Sequence, residues 1–96
     1  MHVEQFQSQI DFIKQQTLIP VFNHTKVKTC MHVIETCYQA NIHIFEFTNR
    51  SINAMDVFKE IRKEVSNNFP GMQLGAGTIF NLKTAEEFID AGATFI

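Results

Sequence analysis

Four short apolar runs, at residues 18–22, 42–47, 72–76 and 93–96, are separated by segments whose apolar residues recur at steps of three and four. The short runs have the length of buried strands, and the intervening periodicity is that of amphipathic helices. Strands therefore recur about every 20 to 30 residues, the spacing of βα units in which a helix carries the chain back to start the next parallel strand. This pattern confines the chain to an α/β sheet covered by helices, either an open doubly wound sheet or a (β/α)8 barrel. Periodicity alone does not separate the two.

The elements follow from local signals. Val3, Phe6, Ile10 and Ile13 predict a helix over 3–16. The run 18–22 predicts a strand, although Pro20 cannot donate to a ladder and belongs at a strand start, edge or bulge. Asn23, His24 and Thr25 supply turn and capping chemistry before a helix that turns Val27, Cys30, Met31, Ile34, Cys37 and Tyr38 inward. Asn41 is a left-handed C-terminal residue before the strand 42–47. Ser51 is expected to cap a helix with Met55, Phe58, Ile61 and Val65 inward, ended by the segment 67–71. After the strand 72–76, Asn81 caps a helix burying Leu82, Ala85, Phe88 and Ile89, stopped at Gly92 before a fourth strand opens.

A chain of 96 residues is one small domain and buries only about two-thirds of its unfolded surface. Ten acidic against eight basic side chains, with the bases dispersed, give no support to nucleic-acid binding. No apolar stretch approaches the roughly 18 to 20 residues of a membrane span, and residues 1–9 lack the apolar core of a signal peptide, so the cytoplasm is the expected compartment. Cys30 and Cys37 share a helix face about 10 Å apart along the axis, too far for a disulfide, and read as small core residues. The four histidines, at 2, 24, 32 and 43, are scattered, and no metal site is expected.

Glu46 stands out because an apolar strand should not carry an unpaired carboxylate without a use for it. Alternation places Ile42, Ile44 and Glu46 on one strand face and His43, Phe45 and Phe47 on the other. In a barrel Glu46 would top the interior layers at the C-terminal mouth, where such folds keep their active sites. Leu74, Ala76 and Thr78 share a parity, so Thr78 is expected to point its hydroxyl inward near Glu46, with Arg50 on the loop above. A carboxylate, a guanidinium and a hydroxyl gathered there suit proton transfer beside a bound carboxylate or carbonyl. A structural Glu46–Arg50 ion pair closing the loop is the competing reading. The segment 75–78 lacks the third glycine of a dinucleotide fingerprint and the lysine of a P-loop.

The blocks Ile19-Pro20-Val21, Phe45-Glu46-Phe47-Thr48-Asn49-Arg50, Leu74-Gly75-Ala76-Gly77-Thr78-Ile79 and Asp90-Ala91-Gly92-Ala93-Thr94-Phe95-Ile96 resemble the N-terminal half of the 2-keto-3-deoxy-6-phosphogluconate aldolases, a family that includes 4-hydroxy-2-oxoglutarate aldolases. The resemblance runs from about Leu18 to Ile96. It implies the N-terminal portion of a (β/α)8 TIM barrel: an extra N-terminal helix, three βα units and the start of a fourth strand, in a single domain over 1–96 truncated at that strand. It further implies a cytoplasmic, metal-independent class I aldolase without cofactor, homotrimeric when full length. Such an enzyme cleaves a 2-keto-4-hydroxy acid to pyruvate and an aldehyde, as in the Entner–Doudoroff route. By resemblance Glu46 is the general acid/base and Arg50 and Thr78 hold the small 2-oxo acid substrate.

One departure bears on activity. The lysine that forms the Schiff base in this family falls beyond Ile96, and the lysines present, at 14, 26, 28, 59, 63 and 83, lie on predicted helices or their starts. The 96 residues alone are therefore expected to be inactive. A non-catalytic half-barrel or partner-binding fragment is the alternative, and another phosphate-sugar barrel enzyme such as an epimerase would need different groups at Glu46 and Arg50.

Overall fold

The structure, a computed structural model, describes Ser8 and residues 18–96; apart from Ser8, the helix expected over 3–16 lies outside the described residues. Three strands, β1 (Val21–Phe22), β2 (Ile44–Thr48) and β3 (Gln73–Gly77), alternate with three helices, α1 (Val27–Gln39), α2 (Ala54–Asn68) and α3 (Leu82–Asp90). The sheet is wholly parallel in the order β1-β2-β3. Glu46 pairs with Val21 on one side and Gly75 on the other. The expected α/β class and the sequence of βα units are therefore present.

The two faces of β2 divide as alternation requires. Phe45 and Phe47 enter a core shared with Cys30, Ile34, Phe58, Ile61, Leu74, Ala76 and Phe88. Aromatic contacts stitch the layers together: Phe47 meets Phe58 at 6.2 Å between centroids, and Phe58 meets Phe88 edge-on at 5.2 Å. His43 packs its ring 4.8 Å from that of Tyr38 on α1, on the helix side as expected. Burial also raises the pKa of the Cys30 thiol, keeping it protonated as a small apolar residue.

Helix ends explain where the strands begin. Asn41 adopts φ 62° and the Ile42 N–H reaches back to Cys37 O at 2.9 Å. This is the closure of a Schellman cap, so Ile42 belongs to the end of α1 and β2 starts at Ile44. Gly92, at φ 108°, repeats the motif with Ala93 N donating to Phe88 O at 2.9 Å. A side chain at Gly92 would also meet the Arg62 stem at 2.9 Å, so the position excludes one on two grounds. The run 93–96 then joins β3 through Thr94 N to Leu74 O and Ala76 N to Phe95 O without a regular ladder.

Several local expectations are corrected. The first strand holds two residues, starting just after Pro20, whose carbonyl accepts the Glu46 N–H at 2.8 Å. Lys26 stands at the N-cap of α1 with no side-chain cap, its N–H donating instead to His24 Nδ1 at 3.0 Å. Asn53, not Ser51, occupies the N-cap of α2. Asn81 does cap α3, accepting from Thr84 N at 2.8 Å. Leu82 is 75% exposed, leaving Phe88 as the fully buried residue of that helix.

Candidate active site

Glu46 lies on the sheet face opposite the helices, in the set Ile44, Glu46 and Thr48. Its flanking strands are locked to it through backbone bonds, and its side chain is half-buried. On β3, Leu74 and Ala76 enter the helix-side core, so the set facing Glu46's side is Gln73, Gly75 and Gly77. Both glycines of the G-A-G block are thus inward, and the neighbours fill the space they leave. A methyl group at Gly77 would fall 2.6 Å from Glu46 Cδ and against its Oε2. One at Gly75 would collide with the Phe95 ring. The carboxylate is seated on Gly77.

This arrangement corrects the parity assigned to Thr78. The set shared by Leu74 and Ala76 faces the helices, so alternation does not aim Thr78 at Glu46. Thr78 instead follows the end of β3 with φ 59°, half-buried, where the chain leaves the strand pattern. A left-handed threonine is strained, and such strain concentrates at functional positions.

Arg50 is exposed on the loop after β2, its N–H donating to Thr48 O at 2.9 Å. Among the described residues Glu46 and Arg50 form no hydrogen bond or ion pair; the loop is closed by other groups. Asn49 N donates to Gly77 O at 2.9 Å, tying the loop to β3. Asn23, at the end of β1, donates to Thr48 O at 2.7 Å and to Ser51 Oγ at 3.3 Å. Arg50 lies on the loop after β2, as expected; the contacts of Gly77 and Asn23 were not foreseen from sequence. The spacing of two between Gly75 and Gly77 was the available signal, since it strips one face of a strand of side chains.

The described lysines, 26, 28, 59, 63 and 83, are all exposed and lie on helices or at a helix start, none on a strand. Among the described residues no three His, Cys, Asp or Glu side chains gather as metal ligands, and no helix is long and apolar enough to cross a membrane. A groove of about 840 Å³ runs between α1 and α2, lined by His32, Glu35, Glu64 and Phe69. It opens on the helix side, away from Glu46, and carries none of the residues assembled at the strand ends.

Comparison with known proteins gives one consistent result. The sequence model of the KDPG and KHG aldolase family matches residues 10–96. A 2-dehydro-3-deoxy-phosphogluconate aldolase of Pseudoalteromonas atlantica is 34% identical over 85 residues, covering 88% of this chain and 38% of the relative. A KDPG aldolase of Legionella pneumophila, solved with pyruvate captured as a covalent carbinolamine intermediate, is similar with a TM-score of 0.65 at 27% identity, over 78% of this chain and 34% of that one. The 2-keto-3-deoxy-6-phosphogluconate aldolase of Zymomonas mobilis shares the fold with a TM-score of 0.66 at 24% identity, over the same shares of the two chains. The chain spans somewhat more than a third of the length of these relatives, and over that span its parallel βα units match part of their barrel. The chain belongs to the KDPG and KHG aldolase family.

Proposed function

We propose that residues 1–96 are the N-terminal part of a single (β/α)8-barrel domain of a class I aldolase, acting on a 2-keto-4-hydroxy acid in the cytoplasm as a homotrimer. The observation that carries the reading is Glu46: a half-buried carboxylate midway along the central strand β2, on the sheet face opposite the described helices and seated on Gly77. A lysine from a later strand forms an imine with the 2-oxo group. Glu46 moves the protons that imine formation requires, takes the proton of the 4-hydroxyl as the C3–C4 bond breaks, and returns one to the resulting enamine. The aldehyde leaves first, and hydrolysis of the imine frees pyruvate. Arg50 binds the substrate carboxylate through its planar fork, and Thr78 supplies a hydroxyl beside it.

The test separates the full-length enzyme, in which this chain continues through the remaining barrel strands, from the 96 residues alone. Borohydride added with 2-keto-3-deoxy-6-phosphogluconate or 4-hydroxy-2-oxoglutarate should trap an adduct on one lysine of the full-length enzyme. That lysine should lie outside residues 1–96. The isolated 96-residue polypeptide should trap none, and an active-site adduct on any of its own lysines would overturn the assignment.

The same polypeptide should self-associate when purified alone. Three paired strands and a fourth begun at Thr94 cannot close a barrel, and they leave edge N–H and C=O groups open to pairing. Light scattering is the measurement; a stable monomer would count against the partial-barrel reading.

A further inference from the structure

We propose that Asn23 and Asn53 are positioning residues that hold Arg50 for substrate binding, an inference that rests on the substrate-binding role proposed for Arg50. The two side chains lace the loops after β1 and β2 together in opposite directions. From the first loop, Asn23 Nδ2 donates to Thr48 O at 2.7 Å and to Ser51 Oγ at 3.3 Å, one contact on each side of Asn49-Arg50. From the second, Asn53 Nδ2 donates back to Thr25 O at 3.0 Å.

A loop residue placed to meet a carboxylate must be held before the substrate arrives, or ordering it subtracts from binding. The backbone alone does little of this: Arg50 N donates only to Thr48 O two residues back, and Asn49 N to Gly77 O. Beyond Asn49 the loop is fastened from outside by Asn23 at Ser51 and by Asn53 three residues past Arg50. Both hydrogens of the Asn23 amide are committed to this loop, leaving only its Oδ1 for any ligand. Asn23 is therefore a support for the mouth and not a donor to substrate. At the N-cap of α2 Asn53 makes no side-chain cap: its Nδ2 is turned to Thr25 O, and its Oδ1 is buried without a partner among the described residues.

The test is a double-mutant cycle in the full-length enzyme. Asn23→Asp keeps the shape but replaces both donors by an acceptor facing Thr48 O. It should raise KM for the 2-keto-4-hydroxy acid about tenfold, the scale of losing one or two hydrogen bonds, with kcat within about twofold. In an Arg50→Ala background, whose KM is already raised, the same substitution should add less than about twofold, because its effect passes through Arg50. A full tenfold increment in that background, or no change of KM in the wild-type background, would overturn the proposal. An unchanged KM in Arg50→Ala alone would instead sink the role of Arg50 itself. Should Asn23→Asp fail to fold by circular dichroism, Asn53→Asp, which removes only the contact to Thr25 O, carries the same expectations and the same refutations.

Discussion

In the full-length enzyme, Glu46→Gln is expected to lower kcat for aldol cleavage by about 10²-fold or more, the contribution of a positioned acid/base. Glutamine keeps the length and planar end of the side chain, so it can lie on Gly77 as the carboxylate does. The amide cannot accept the proton of the 4-hydroxyl or return one to the enamine. KM should move little, because the contacts assigned to binding lie on Arg50 and Thr78. Thermal stability should hardly change, since Glu46 makes no hydrogen bond through its side chain among the described residues and only its backbone is tied, to the strands on either side. Steady-state kinetics beside a thermal melt are the check; cleavage surviving within about threefold of wild type would remove Glu46 from the mechanism.

Much of what places Glu46 was legible in the sequence, because the apolar periodicities of strand and helix differ and every described element except the two-residue β1 is long enough to show its own. Parity within β2 held, since Phe45 and Phe47 are large and one side of the sheet is filled by α1, α2 and α3. Parity on β3 did not. Alternation groups Thr78 with Leu74 and Ala76, and that set faces the helices, whereas the residues on the Glu46 side include the two glycines, which carry no hydropathy signal.

Element ends failed for a related reason. Ile42 and Ala93 look like strand residues but are spent closing the preceding helices, and no local composition distinguishes an isoleucine that donates backward to Cys37 O from one that pairs sideways. Ser51 looked like a cap and Asn53 took the position, its amide drawn to Thr25 O across the loops. Contacts between residues about 28 apart decided that choice, and a local motif does not report them. The loop residues that support Arg50 were hidden in the same way: Asn23 reads as turn chemistry until Thr48 and Ser51 are seen beside it.

Gly77→Ala tests the seat under the carboxylate, and its expected effect is as large as that of removing the base. The added methyl would lie 2.6 Å from Glu46 Cδ and against Oε2, far inside van der Waals contact. Glu46 is held by its backbone to both neighbouring strands, so the side chain must swing away instead of the strand yielding. A misplacement of about 1 Å at a reacting group costs on the order of 10²-fold, and kcat should fall by about that factor. Gly77 does not need a left-handed backbone, unlike Gly71 and Gly92, so alanine brings no conformational penalty and slightly restricts the unfolded chain. Stability should therefore stay nearly level while activity collapses, which separates displacement of the carboxylate from unfolding. The decisive comparison is the double variant: where Glu46 is already glutamine, Gly77→Ala should cost less than about threefold more, because both changes remove the same function. Independent losses that multiply, or a single Gly77→Ala enzyme within about threefold of wild type, would show that the glycine is not what seats the carboxylate.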